Sequence, residues 1–121
     1  MKLEEQLAWL GGVLDGEGTL TISKSGQFEI SVGNTNLTIV ENVISVGASI
    51  EARGGITTLS EQRGNCKKAY RAAFTSGVSV SSVLASVCSC LVTKYDHAVV
   101  LNRVLKTGVF DEDIEEIRYL N

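Results

Sequence analysis

The most constraining stretch of the chain is Leu10 to Gly18, Leu-Gly-Gly-Val-Leu-Asp-Gly-Glu-Gly, where an apolar helical pattern ends in two acids alternating with glycines. Leu3, Leu7, Leu10 and Leu14 recur at helical spacing, while Trp9 and Val13 carry apolar surface round to a second side. A helix over residues 4–14 therefore needs cover on two faces. The chain's own sheet supplies one cover, and Gly11 and Gly12 would let another backbone come close on the other. An acid at a helix C-terminus is disfavoured by the macrodipole, so local propensity does not explain Asp15 or Glu17. Glycines at 16 and 18 let the chain turn and leave carbonyls accessible. Carboxylate plus carbonyl oxygen suits Mg²⁺, which keeps its other positions for water and phosphate. The plain alternative is a polar turn between a helix and a strand.

Beyond Gly18 the chain passes between extended and helical patterns. Thr19 to Lys24 sets Leu20 and Ile22 opposite Thr19, Thr21 and Ser23, and Ser25-Gly26 turns the chain into a second strand. There Phe28, Ile30 and Val32 oppose Gln27, Glu29 and Ser31, the pattern of a sheet with one buried face. Asn36 offers an N-cap to a helix carrying Ile39, Val40, Val43 and Ile44, with Gly47 as its stop. Two further extended segments are expected between Ser49 and Thr75. Gly54-Gly55 interrupts the first, and Arg63-Gly64-Asn65 lies near the turn before Cys66 to Phe74. Helices are expected over 79–91 and 93–106, then a short one over 111–119 with Asp111 as N-cap. The fold class is α+β: α-β-β-α-β-β-α-α with one sheet, helices on a single face, and the other face polar and open.

A chain of 121 residues fits one compact domain, read as residues 1–110 with an acidic helical tail over 111–121. The net charge is -3, but the tail holds five acids against Arg118, a balance of -4, which leaves the first 110 residues at +1. A nearly neutral body permits a basic surface without demanding one. No apolar run approaches the roughly 20 residues of a membrane span, and Glu4 and Glu5 stand where a signal peptide would be basic. An intracellular location, cytoplasm or nucleoid, is expected. Cys66, Cys88 and Cys90 are an odd number, and Cys88 and Cys90 on a regular helix could not both reach one zinc ion with His97. They are read as small, buried, unreactive thiols.

The nonamer resembles the LAGLIDADG signature: a small-residue apolar helix, then acid, Gly, acid, Gly, then an alternating strand. Asn34-Thr35-Asn36 looks like that family's N-T-D helix start, with Asn for Asp. Leu91 to Ala98 looks like its L-x-x-K-x-x-Q-A stretch, with His97 for Gln. In order and at ordinary spacings, the resemblance covers roughly residues 5 to 106.

The resemblance implies an αββαββα domain with a saddle-shaped antiparallel sheet, acting as a homodimer that makes double-strand breaks in a long pseudo-palindromic DNA site. Leu7, Leu10, Gly11 and Leu14 would form the dimer interface. Glu17 would bind Mg²⁺ or Mn²⁺ with the carbonyl of Gly16, and Asp15 would cap the partner's motif helix. Lys94 would sit near the scissile phosphate. Its place on the helical wheel, between Leu101 and Leu105, independently demands an acidic partner or a phosphate, unless it only snorkels from a helix end. His97 is read as exposed or capping.

On the open face, Thr19, Thr21, Ser23, Gln27, Glu29 and Ser31 would meet DNA, with Arg53, Arg63, Lys67 and Arg71 from the second strand pair. A one-residue register error would reverse that face. Two other readings stand beside cleavage. One is a silent DNA-binding regulator or an RNA-splicing protein on the same fold. The other is an interaction module that uses the motif helix only to dimerise.

Overall fold

A computed structural model describes residues 2–59 and 68–121. The elements run α1 (Leu3–Glu17), β1 (Gly18–Ile22), β2 (Phe28–Asn34), α2 (Leu37–Ser49), β3 (Gly55–Leu59), β4 (Ala69–Phe74), α3 (Gly77–Val87), a 3-10 turn (Cys88–Cys90), α4 (Tyr95–Thr107) and α5 (Asp111–Leu120). The four strands form one antiparallel sheet in the order β1-β2-β4-β3. This is the α+β architecture that the alternation of segments requires.

Register sorts the sheet residues into two faces, because successive side chains point to opposite sides. Leu20 pairs with Ile30, which pairs with Phe74, and Val32 pairs with Ala72. All five are buried with Ile22 in the core, against Leu10 and Leu14 of α1, Val40 and Val43 of α2, and Val80, Leu84, Leu101 and Ile117 of the later helices. The opposite face carries Thr19, Thr21, Glu29, Ser31, Arg71 and Thr57.

Local chemistry sets several boundaries. Asn36 caps α2 by accepting the Thr38 N–H at 3.0 Å, and Ser76 caps α3 by accepting the Ser79 N–H at 3.1 Å. Gly47 does not stop α2. It lies inside the helix because the Phe74 ring presses there, and a Cβ would meet that ring at 2.6 Å. The helix ends instead in a Schellman arrangement: Ala52 N–H donates to the Gly47 carbonyl at 2.9 Å and Glu51 N–H to that of Ala48 at 3.1 Å. The left-handed position of that motif is held by Glu51, at φ 62.

The acidic C-terminal segment is part of the packed body. Ile117 of α5 is fully buried, and Arg103 of α4 donates to Asp113 at 2.7 Å and to Glu116 at 2.8 Å. Asp111 is the first helical residue and not the cap. The cap position falls to Phe110, whose N–H donates to Asp113 Oδ2 at 3.0 Å, so the acid one turn in satisfies the helix start. Cys88 is half-buried and Cys90 exposed, both on the 3-10 turn, which corrects the reading of buried helical thiols; Cys66 lies outside the described residues. No helix among the described residues is long and apolar enough to cross a membrane.

Candidate functional site

The motif helix is longer than its apolar pattern suggests and runs through both acids to Glu17. Gly18 then turns directly into β1. A Cβ there would lie 2.5 Å from the Leu14 carbonyl oxygen, so only glycine permits this exit without displacing the last helical turn. The last turn holds Asp15 and Glu17 with no basic residue, and its terminal carbonyls, that of Gly16 included, have no helical N–H ahead of them. Two carboxylates are thus added to the negative pole of the helix.

Each carboxylate has its own partner. Asp15 Oδ1 accepts the backbone N–H groups of Val92 and Lys94, both at 2.8 Å. The Lys94 amide is the main reason its pKa is held below the ordinary carboxylate value, with the amides of Thr93 and Val92 adding to it and desolvation opposing. Glu17 is exposed, and its Oε2 accepts from Asn34 Nδ2 at 3.0 Å. Asn34 was visible in the sequence only as part of a helix start; an Asx side chain that folds back onto the amide two residues on was the available signal. The amides of Val92 and Lys94 left no trace in side-chain identity.

Lys94 sits where its segment begins and not inside it. It is the N-cap of α4, half-buried, so the helical-wheel placement among Leu101 and Leu105 does not apply. Among the described residues its ammonium has no carboxylate within 4.0 Å. His97, expected at the surface, is buried in the first turn of α4, and its Nδ1 finds no hydrogen-bond partner among the described residues.

The register puts Thr19, Thr21, Glu29, Ser31 and Arg71 on the face opposite the helices, and Thr21, Ser23, Gln27 and Glu29 line one shallow hollow there with Phe28. Ser31 is not free for a ligand. It is 6% exposed and donates to Glu29 Oε2 at 3.0 Å, while Arg71 donates to Glu29 Oε1 at 3.2 Å. Ser23 is engaged in the hairpin turn, accepting the Gln27 N–H at 3.0 Å. Arg53 is exposed in the connection before β3, its backbone N–H donating to Ser79 Oγ at 2.9 Å. Arg63 and Lys67 lie outside the described residues.

The expected dimer face needs correction. Leu10 and Leu14 are 0% and 1% exposed inside this chain's own core, and Leu7 packs beside them. Gly11 serves an internal approach, since a Cβ there would meet Cys90 Cβ at 2.6 Å. The side of α1 left open carries Ala8, Gly12 and Gly16, and among the described residues Cβ atoms at Gly12 and Gly16 would meet nothing within 4 Å.

Among the described residues no three or more His, Cys, Asp or Glu side chains gather as a metal cage. One exposed carboxylate and the carbonyls of a helix end form a different donor set. It fits a hard divalent ion that completes its shell with water.

No protein-family model matches the sequence, and no curated protein does. Solved structures match closely in shape. The homing endonuclease I-CvuI, in complex with an I-CreI target in 2 mM Mg and with its DNA not cleaved, superposes at TM-score 0.76 with 13% identity, over 98% of this chain and 83% of that one. The archaeal intron-encoded homing endonuclease I-Vdi141I, complexed with DNA, gives 0.73 with 10% identity, over 99% and 86%. The LAGLIDADG meganuclease I-AabMI, bound to uncleaved DNA, gives 0.65 with 18% identity, over 94% of this chain and 42% of that one. Shape agrees at identities of 10–18%, and the chain is built on the LAGLIDADG homing endonuclease fold.

Proposed function

We propose that the protein is a site-specific DNA endonuclease that acts as a homodimer and cuts both strands of a long, pseudo-palindromic target. The observation that carries this reading is the end of α1. Glu17 presents an exposed carboxylate at the negative pole of the helix, one residue before the strand that opens the sheet. Neither packing nor helix propensity accounts for that acid. Mg²⁺ or Mn²⁺ held by Glu17 and the Gly16 carbonyl would shield a phosphodiester and activate water. Asp15 fixes the 92–94 segment and so sets where the Lys94 ammonium starts from, a charge that would meet phosphate. Thr19, Thr21, Gln27, Glu29 and Arg71 supply the open face that would lie along a groove.

Dimerisation through α1 is supported by the open stripe of Ala8, Gly12 and Gly16, which allows close helix approach. It is also in keeping with the size relation to I-AabMI, of which this chain spans 42%. Cleavage of a randomised DNA library with Mg²⁺ or Mn²⁺ tests the reading. A Glu17→Gln chain should bind the selected site without cutting it, and a chain that cuts nothing with either ion sinks the activity.

A second reading, a DNA-binding or RNA-splicing protein that does not cut, is favoured by one observation. Residues 1–110 carry a net charge of only +1, little for a nuclease that grips a long duplex. Under this reading the chain binds duplex DNA or structured RNA in a salt-dependent way and leaves it intact.

A further inference from the structure

Glu17 ends α1 with an exposed side chain, yet its carboxylate is oriented. The orientation comes from Asn34, the last residue of β2, whose Nδ2 donates to Glu17 Oε2 at 3.0 Å. Asn34 cannot turn its amide over without loss, because its Oδ1 accepts the Asn36 N–H at 2.8 Å and only the oxygen end can do so. Asn36 is in turn fixed as the cap of α2 through the Thr38 N–H. A line of hydrogen bonds thus runs from the start of α2 through Asn34 to one oxygen of Glu17. The other oxygen, Oε1, has no partner among the described residues.

We propose that Asn34 is a positioning residue for Glu17. It holds Oε2 with a neutral donor and turns Oε1 toward a divalent cation. This rests on the metal-dependent cleavage proposed above and adds which residue aims the ligand. The chemistry favours an amide over an acid at this place. A neutral donor orients the carboxylate without adding a second anion, and partners of ligating carboxylates commonly tune metal affinity in this manner. Aspartate at 34 would keep the acceptor for Asn36 N–H while facing Glu17 with a like charge. It therefore separates bracing of the β2–α2 corner from aiming of Glu17.

The test is calorimetric titration of the full chain with MnCl₂, together with thermal melting and kcat and KM on the selected DNA target. Asn34→Ala should weaken Mn²⁺ binding and lower kcat, each about 10-fold, with KM for DNA unchanged. Asn34→Asp should melt close to the parent, since the Asn36 contact is kept and the like-charge pair with Glu17 is solvent-exposed, shift Mn²⁺ affinity in the opposite direction to the alanine variant because a second carboxylate joins the site, and still turn over more slowly than the parent. Loss of thermal stability alone in Asn34→Ala, or an Asn34→Asp chain that matches the parent in both affinity and kcat, overturns the proposal. A parent chain that binds no Mn²⁺ overturns the metal-dependent reading as well. A parent whose binding is lost in Glu17→Gln but kept in both Asn34 variants overturns the positioning role alone.

Discussion

Asp15 and Lys94 lie 79 positions apart in the chain and are joined by a 2.8 Å hydrogen bond from the Lys94 backbone N–H to Asp15 Oδ1. The same oxygen accepts the Val92 N–H, so the first acid of the motif anchors the lysine's backbone, while among the described residues no carboxylate pairs with its ammonium. Asp15→Ala should release this segment. Hydrogen exchange at the Val92 and Lys94 amides should quicken selectively, and turnover should fall about 100-fold, the scale of a catalytic group displaced by about 1 Å. Asp15→Asn keeps an acceptor oxygen and should fall between. Unchanged exchange in Asp15→Ala would detach the two residues from each other.

Acid should loosen α5 through Asp113. Its carboxyl is held below its ordinary value of 3.8, chiefly by the Arg103 guanidinium and then by the Phe110 amide. A lowered folded pKa means the contribution is complete above the ordinary value and fades as pH falls through the folded one. The gap in melting temperature between the parent and Asp113→Asn should be constant from about pH 7 to 5 and close below about pH 4. A gap that persists at the acid end would assign the effect to packing.

Glu51→Gly should stabilise the protein by about 0.5–1 kcal/mol, since a side chain in the left-handed region costs about 1–2 kcal/mol and glycine returns part of that gain as unfolded-state entropy. Chemical denaturation measures it. A loss of stability would mean that the exposed Glu51 side chain makes a contact outweighing its backbone strain.

The dimer face proposed for α1 separates two substitutions on one helix. Gly12→Phe points into open space and should leave protomer folding intact while abolishing the dimer in sedimentation. Leu10→Ala, in the core, should cost about 2–5 kcal/mol whatever the oligomeric state. A Gly12→Phe dimer of undiminished affinity would move the interface off α1.

Arg71 is the described cation on the open sheet face that a neighbour holds in place, with Glu29 on one nitrogen and Ser31 bracing Glu29. Arg71→Ala should relax discrimination at one base pair in each half-site by about 10- to 100-fold, as expected for loss of a bidentate base contact. Glu29→Gln, which weakens the brace, should relax the same position less. A uniform loss of affinity with unchanged preference would instead make Arg71 a phosphate contact.

Much of the fold was legible because periodicity reports directly on burial. The alternation of Leu20, Ile22, Phe28, Ile30 and Val32 assigns the faces of the first hairpin, and Asn36 marks the start of α2. Contacts between distant segments were not legible. Gly47 reads locally as a stop, and only the Phe74 ring shows why a glycine is needed in mid-helix. Leu10 and Leu14 read as a face to be covered, and sequence does not say by whom; the chain's own later helices and sheet do it. The two motif acids were picked out because they defy helix propensity. Their partners were hidden, one in backbone amides and the other in an asparagine that reads only as part of a helix start.

The exit at Gly18 bears on fidelity. Glu17 and Thr19 are separated by one residue that belongs to neither hinge nor loop, because helix passes straight into strand. Nothing soft lies between the acid proposed to cut and the first side chain proposed to read. A poorly matched duplex that shifts β1 would carry Glu17 with it, so an incorrect site could be held and still not be broken. Proofreading of that kind would need no moving part, only a stiff joint.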